Sequence, residues 1–270
     1  MPDLSTNPID LYSFCEEDFI ISGFVGEFVN TLTNLAYILF AYQALRRLNR
    51  DHGSAASKAI YYGLAIVGLT SGLFHALLKY HAQISDDTGM LIASGCVLHR
   101  AMTFDKSPAY QRNFSVGLLA FILSSLTYHS LANEQTVHEL TFFALILAVG
   151  VKVRALIHQR VTKPEQRKRL TRLSLFGAGS MVFGYFLWQL DHIFCSELTS
   201  MKRQIGMPWS FLLEFHGWWH ILTAVGAYTF MVMVERLTSD GPLDLSPRAF
   251  AWLPMTLLDG RSSDGAQKRA

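Results

Sequence analysis

The sharpest chemical signal in the chain is His216-Gly217-Trp218-Trp219-His220. Two histidines at i and i+4 share one face of a helix, about one turn apart, and can grip a single metal ion. The alternative is a pair of interfacial histidines flanking an aromatic belt. His75, far upstream, can supply a third imidazole. Three imidazoles with one open position form the layout of a hydrolytic zinc centre, in which zinc lowers the pKa of a water to about 7 and polarises a carbonyl. The motif lacks the glutamate of a HExxH protease, so the base must come from elsewhere. Asp86 lies beyond a short turn after His75 and is a candidate general base. Capping of a helix competes as the role of Asp86 and of its neighbour Asp87, and one of the two is expected to do only that. Ser71 precedes His75 by four residues and so shares its helix face. Its hydroxyl can donate to an oxyanion, or can simply bond back to its own helix.

Two further groups lie near the ends of the chain's apolar blocks. Glu16, Asp18 and Glu27 are hard oxygen donors suited to calcium, or else a solvated acidic loop. Of the three cysteines, Cys96 falls in mid-span and reads as a packing residue, while Cys15 and Cys195 flank spans.

These residues need a scaffold, and composition names its class. Of 270 residues, 50% are hydrophobic and only 16% charged, against roughly a quarter charged in soluble domains. The charge is missing from blocks long enough to cross a bilayer as helix, and those blocks are apolar nearly all the way round rather than striped. The expected fold is therefore an all-α membrane protein, a bundle of seven transmembrane helices at Glu27–Leu45, Ala59–Leu78, Ile84–Met102, Phe114–Leu131, Val137–Ile157, Leu173–His192 and Phe211–Glu235. The acidic start of the chain lacks the basic and apolar regions of a cleavable signal, so the first helix is expected to act as its own signal. There is no internal repeat and no second domain. The organisation reads as a lumenal N-terminal segment over 1–26, a catalytic bundle over 27–236 and a cytosolic tail over 237–270.

Charge orients the bundle. With seven spans, only Lys79, Lys202 and Arg203 of the 23 basic residues fall on one side, and the other twenty on the opposite side. The positive-inside rule then places the N-terminus outside the cytosol and the C-terminus within it. The same topology brings Ser71, His75, Asp86, Asp191, His216, His220 and Glu27 to the non-cytosolic face, where ionisable groups at membrane depth require a function. Cys15 and Cys195 share that face, and in an oxidising lumen a disulfide between them is plausible. The net charge of +2 implies no nucleic-acid partner.

In combination and order, Cys15-Glu16-Glu17, Gly26-Glu27-Phe28-Val29-Asn30-Thr31, Ser71 to Tyr80, Gln83 with Asp86, Trp188 with Asp191, Phe194-Cys195 and Phe215 to His220 resemble the alkaline ceramidase family. That family belongs to a wider group of seven-span hydrolases that includes the adiponectin receptors. The resemblance runs from about Phe14 to about Glu235. It implies zinc on His75, His216 and His220, Asp86 as acid and base, Ser71 as an oxyanion or water-positioning group, and a Cys15–Cys195 disulfide. It also implies calcium near Glu16, Asp18 and Glu27, with residues 13 and 14 contributing. The family commonly has Asp-Trp where this chain has Ser13-Phe14, a weaker pair of ligands; Leu-Asp-Glu becomes Ser85-Asp86-Asp87, and a Trp becomes Val29.

The activity implied is hydrolysis of the N-acyl amide of ceramide-type lipids, reaching the site from the bilayer, in an endoplasmic reticulum or Golgi membrane, with no obligate protein partner. Two other classes compete: a receptor-like sensor with weak hydrolase activity, and a transporter or proton relay built on Asp86, Asp191 and the histidines. A transporter would show repeat symmetry and matching broken helices, which the sequence lacks.

Overall fold

The computed structural model describes residues 14–132 and 135–239. Ser13, the rest of the N-terminal segment before it, and the tail from residue 240 lie outside the described residues. Among the described residues the protein is all-helical, with nine α-helices, one 3-10 turn at Trp209–Leu213 and a single isolated bridge between Ser22 and Val25.

The first expected span is two helices, α1 (Phe28–Thr33) and α2 (Leu35–Arg50). The interruption at Asn34 has a local cause. Thr33 Oγ1 donates to the Val29 and Asn30 carbonyls, and Asn34 Nδ2 donates to the Asn30 carbonyl. Side chains that bond to their own helix's carbonyls in this way bend the helix. Then follow α3 (Ala55–Leu77), α4 (Tyr80–Thr103), α5 (Pro108–Ala132), α6 (Thr136–Arg160), α7 (Pro164–Ile193), α8 (Cys195–Ile205) and α9 (Phe215–Leu237). Lys163-Pro164-Glu165 does not merely break a helix; Pro164 occupies the first turn of α7, where its missing N–H costs nothing. That adds more than two turns to the expected sixth span. The short amphipathic α8 lies where the sequence reads as loop.

Five helices, α3, α5, α6, α7 and α9, are long and apolar enough to cross a membrane. Their outward residues include Leu69, Leu119, Leu147, Leu175 and Val182, all more than half exposed. A soluble surface does not carry so much apolar area, whereas lipid solvates it. The chain is a multi-pass membrane protein. α4 falls short of that hydropathy because Asp86, Asp87 and Arg100 lie along it, and α2 is only 16 residues long.

α9 lies at the centre, packed against α7, α2, α1 and α6, with Tyr228, Met231, Val232, Met233 and Val234 buried. α7 and α9 approach closely because Gly177 and Gly226 face one another: a Cβ on Gly226 would stand 2.8 Å from the Gly177 carbonyl oxygen. Small residues at such crossings let membrane helices gain van der Waals contact. At the end of the bundle remote from the histidines, Arg47 makes a two-pronged contact to buried Glu235, at 2.9 and 2.5 Å, and Tyr61 donates to the same carboxylate at 2.5 Å.

Candidate active site

The site is built where α3 ends and α9 begins. His75 sits on the last turn of α3, just before Leu78 ends the helix in the left-handed conformation. His216 and His220 occupy the first two turns of α9. The three imidazoles are buried, and each offers a nitrogen within 4.8 Å of the others. They are the one such group among the described residues.

Neighbouring groups fix two of the rings from behind. His75 Nδ1 lies 2.5 Å from Glu27 Oε2, and His220 Nδ1 lies 3.0 Å from Thr33 Oγ1. Engaging Nδ1 leaves Nε2 of both rings available, the arrangement typical of histidine ligands held by an outer partner. His216 Nδ1 is buried with no hydrogen-bond partner. Three neutral nitrogen donors, two of them oriented and one unpartnered, suit a borderline cation such as zinc and fit the group the sequence predicts.

Asp191 has a part that sequence reasoning did not assign. Its Oδ2 accepts from the Cys15 N–H at 3.1 Å and its Oδ1 from the His216 N–H at 3.3 Å. It thus caps α9 from another helix and ties the N-terminal segment to the histidines. The available signal was a carboxylate at the end of one span, on the same side of the membrane as the start of α9. Nearby, Lys202 Nζ on α8 donates to Glu214 at 2.9 Å and to the Cys15 carbonyl at 2.6 Å.

Asp86 and Ser71 join the cluster. Both line a cavity of about 100 Å³ with the three histidines, and Ser71 lies close enough to influence the Asp86 carboxylate. Asp87 departs from expectation. It neither caps a helix nor faces solvent, since α4 starts two turns earlier at Tyr80. It is buried, with His129 Nε2 at 2.9 Å from Oδ2 and His138 Nε2 at 3.4 Å from Oδ1.

The acidic group is only partly as read. Glu16 does not stand free: its oxygens accept from the Val29 N–H at 2.6 Å and the Asn30 N–H at 2.8 Å, capping α1. Burial nevertheless pushes its carboxyl up to about 7. Glu27 Oε2 is committed to His75 and to Asn30 Nδ2. Burial also raises Asp18. Glu16, Asp18 and Glu27 are near enough for Glu27 to feel Asp18, and Glu16 to feel Glu27. They do not converge as tightly as the histidines. Phe14 contributes its ring, whose centroid lies 3.9 Å from that of His216 and 5.2 Å from that of His75. Cys15 and Cys195 are free thiols rather than a disulfide. They are neighbours all the same: both sulfurs approach Thr199 Oγ1, at 3.6 and 3.9 Å.

Below the site, a second cavity of about 450 Å³ shares Tyr37, Val67, Met90, Tyr185 and Trp219 with the first. Its remaining wall is almost entirely apolar and reaches Gly150, Ala178 and Met231. From His220 to Met231, α9 rises roughly 16 Å.

A family model described as Ceramidase matches residues 8–256. The chain belongs to the ceramidase family. Its relatives include alkaline ceramidase YPC1 of Saccharomyces cerevisiae, 32% identical over 248 residues that cover 86% of this chain and 77% of the relative. Alkaline ceramidase 3 of Mus musculus is 29% identical, covering 80% and 79% of the two chains. An alkaline ceramidase of Drosophila melanogaster is 27% identical, covering 84% and 76%. The span matched by the ceramidase family model includes all the described residues of the site.

Proposed function

We propose that this protein is a zinc-dependent amidase that hydrolyses the N-acyl amide bond of ceramides to a sphingoid base and a free fatty acid. The observation that carries the reading is the junction of two unlike cavities. A small chamber bears three histidines, Asp86 and Ser71 among apolar side chains, and it shares wall residues with a larger, more uniformly apolar cavity. An amide flanked by hydrocarbon chains matches that junction, as hydrocarbon lies in the apolar cavity while the scissile carbonyl stays beside the histidines.

His75, His216 and His220 would hold the zinc. When bound, zinc supplies a Lewis acid for the scissile carbonyl and lowers the pKa of water. The remaining steps belong to the protein. Asp86 takes the proton of the attacking water and returns it to the leaving amine nitrogen, a role suited to a carboxylate in the same chamber. Ser71 donates its hydroxyl proton to the oxygen that gains charge. Glu27 and Thr33 hold the rings of His75 and His220 in place. Phe14 covers the histidines and limits access of bulk water.

The wider reading extends the same account. α1 and α2 together form the first of seven spans, and α4 the third, with the N-terminus lumenal and the tail from 237 cytosolic. Charge asymmetry supports this orientation. It puts the histidine chamber toward the lumen of an endoplasmic reticulum or Golgi membrane. Lipid reaches the cavity from the bilayer between α6 and α7, where Leu147 and Val182 line the wall and are exposed on the outside. Calcium is proposed near Glu16, Asp18 and Glu27, where a cation would compensate buried carboxylates. Cys15 and Cys195 are proposed to pair once oxidised.

Incubating the purified protein with a ceramide panel and measuring released sphingoid base and fatty acid by mass spectrometry tests the reading. Equimolar release of both products is expected. Failure to cleave any member of the panel by metal-loaded protein would refute it.

A further inference from the structure

The chamber contains more polar surface than the hydrolysis steps use. Gln83 and His138 line it alongside Asp86 and Asp87. Gln83 is 4% exposed and His138 is 2% exposed. Gln83 Oε1 and both ring nitrogens of His138 are buried without a hydrogen-bond partner. Buried polar atoms are almost always satisfied, and those that are not call for an explanation. These three atoms, from two helices, border the cavity that takes the reacting group, as do Gln135 Oε1 and the His216 Nδ1 described above.

Their placement indicates what would satisfy them. Gln83 precedes Asp86 and Asp87 by three and four residues on α4, so the three side chains share one face within about a turn. His138, on α6, stands across from them with Nε2 3.4 Å from Asp87 Oδ1. Asp87 is itself secured by His129 at 2.9 Å. The partnerless atoms therefore ring the position next to Asp86, where the amine side of the scissile bond must lie. A neutral imidazole has one donor and one acceptor nitrogen, and an amide oxygen only accepts. A hydroxyl group, which both donates and accepts, can give its proton to Gln83 Oε1 and accept from the N–H of His138.

We infer that Gln83 and His138 form a subsite for the C1 hydroxyl of the sphingoid base, and so determine specificity for amides that carry it over their 1-deoxy analogues. The inference rests on the amidase reading, because a ceramide carries hydroxyls on the carbons either side of the one bonded to the amide nitrogen. Gln83 Oε1 accepts from the C1 hydroxyl, and the His138 N–H donates to the same oxygen, so 1-deoxyceramide lacks the group that both residues read. The acyl side of the substrate makes no use of either residue.

The test compares ceramide with 1-deoxyceramide in wild-type protein, Gln83→Met and His138→Phe. Wild type is expected to prefer the hydroxylated substrate by about tenfold or more in kcat/KM, as a site built around a hydroxyl discriminates against its loss. Either substitution should bring the ratio toward one by lowering kcat/KM for ceramide while leaving 1-deoxyceramide nearly unchanged. His138→Gln, which keeps donor and acceptor atoms, should recover part of the ratio. If the residues only support the fold, both substrates fall together and the ratio stays at its wild-type value, which overturns the inference. The same ratio is read from equilibrium binding of sphinganine and 1-deoxysphinganine. Absent turnover in wild type would thus count against the amidase reading, while an unchanged binding ratio in the variants would count against this one.

Discussion

Glu27 Oε2 lies 2.5 Å from His75 Nδ1, and the Glu27 backbone N–H donates to the His75 carbonyl at 2.9 Å. The start of α1 is thereby fastened to the end of α3 through one residue pair, both members buried. A carboxylate behind a histidine fixes its tautomer and increases its basicity as a ligand. Glu27→Ala should therefore weaken metal binding by about 10- to 100-fold. Titration of the apoprotein with zinc against a competing chelator measures it, and an unchanged affinity would show that His75 does not need this support.

The adjacent aspartates are predicted to fail in different ways. Asp86→Asn keeps shape but cannot accept a proton, so turnover should fall by about 10² to 10⁴-fold with stability and bound zinc retained. Asp87→Asn disturbs a carboxylate bonded to His129 at 2.9 Å, with the unbonded His138 Nε2 3.4 Å away. It should cost roughly 1–3 kcal/mol of stability, the usual penalty for leaving buried polar partners unmatched. Thermal unfolding in detergent together with steady-state rates distinguishes the two. A stable but inactive Asp87→Asn would assign the proton transfer to the wrong residue.

The sequence carried the site more fully than it carried the scaffold. The HxxxH spacing, His75 at a span end and Asp86 after a short turn all follow from helical geometry and topology, and the three histidines do converge. Asn34 was harder to read, because a helix interrupted by its own side-chain hydrogen bonds keeps the hydropathy of an unbroken one. α8 was missed because its 11 residues are amphipathic rather than apolar. Asp87 was misjudged for a different reason: its partners His129 and His138 come from α5 and α6, and nothing local in the sequence pairs them. Glu27 and Glu16 read as oxygen ligands by type; what the sequence did not show is their contact with His75 and with the α1 backbone, since those partners are set by tertiary packing.

At the opposite end of the bundle, Glu235 is joined to Arg47 and Tyr61. Removing one member of a buried pair leaves the other charge uncompensated, so Glu235→Ala should lose about 3–5 kcal/mol of stability. Its zinc content per folded chain should stay at the wild-type level, as the pair is remote from the histidines. Thermal unfolding with metal analysis of the folded fraction checks both points; wild-type stability would mean that the pair contributes little.

Cys15 and Cys195 flank Thr199 Oγ1 as free thiols. In an oxidising lumen they should pair, closing a loop large enough to contribute roughly 4–5 kcal/mol in the chain-entropy account. Peptide mass mapping without reductant should find the two linked. Finding both thiols alkylated in protein taken from that compartment would contradict the pairing.

The central claim is that His75, His216 and His220 hold the metal on which amide hydrolysis depends. Elemental analysis of purified wild-type protein and His220→Ala, beside their rates on one ceramide, tests it most directly. The account predicts about one zinc per wild-type chain, loss of most of that metal in His220→Ala, and loss of hydrolysis with it. Full zinc occupancy in His220→Ala, or undiminished hydrolysis by wild type stripped of metal, would contradict it.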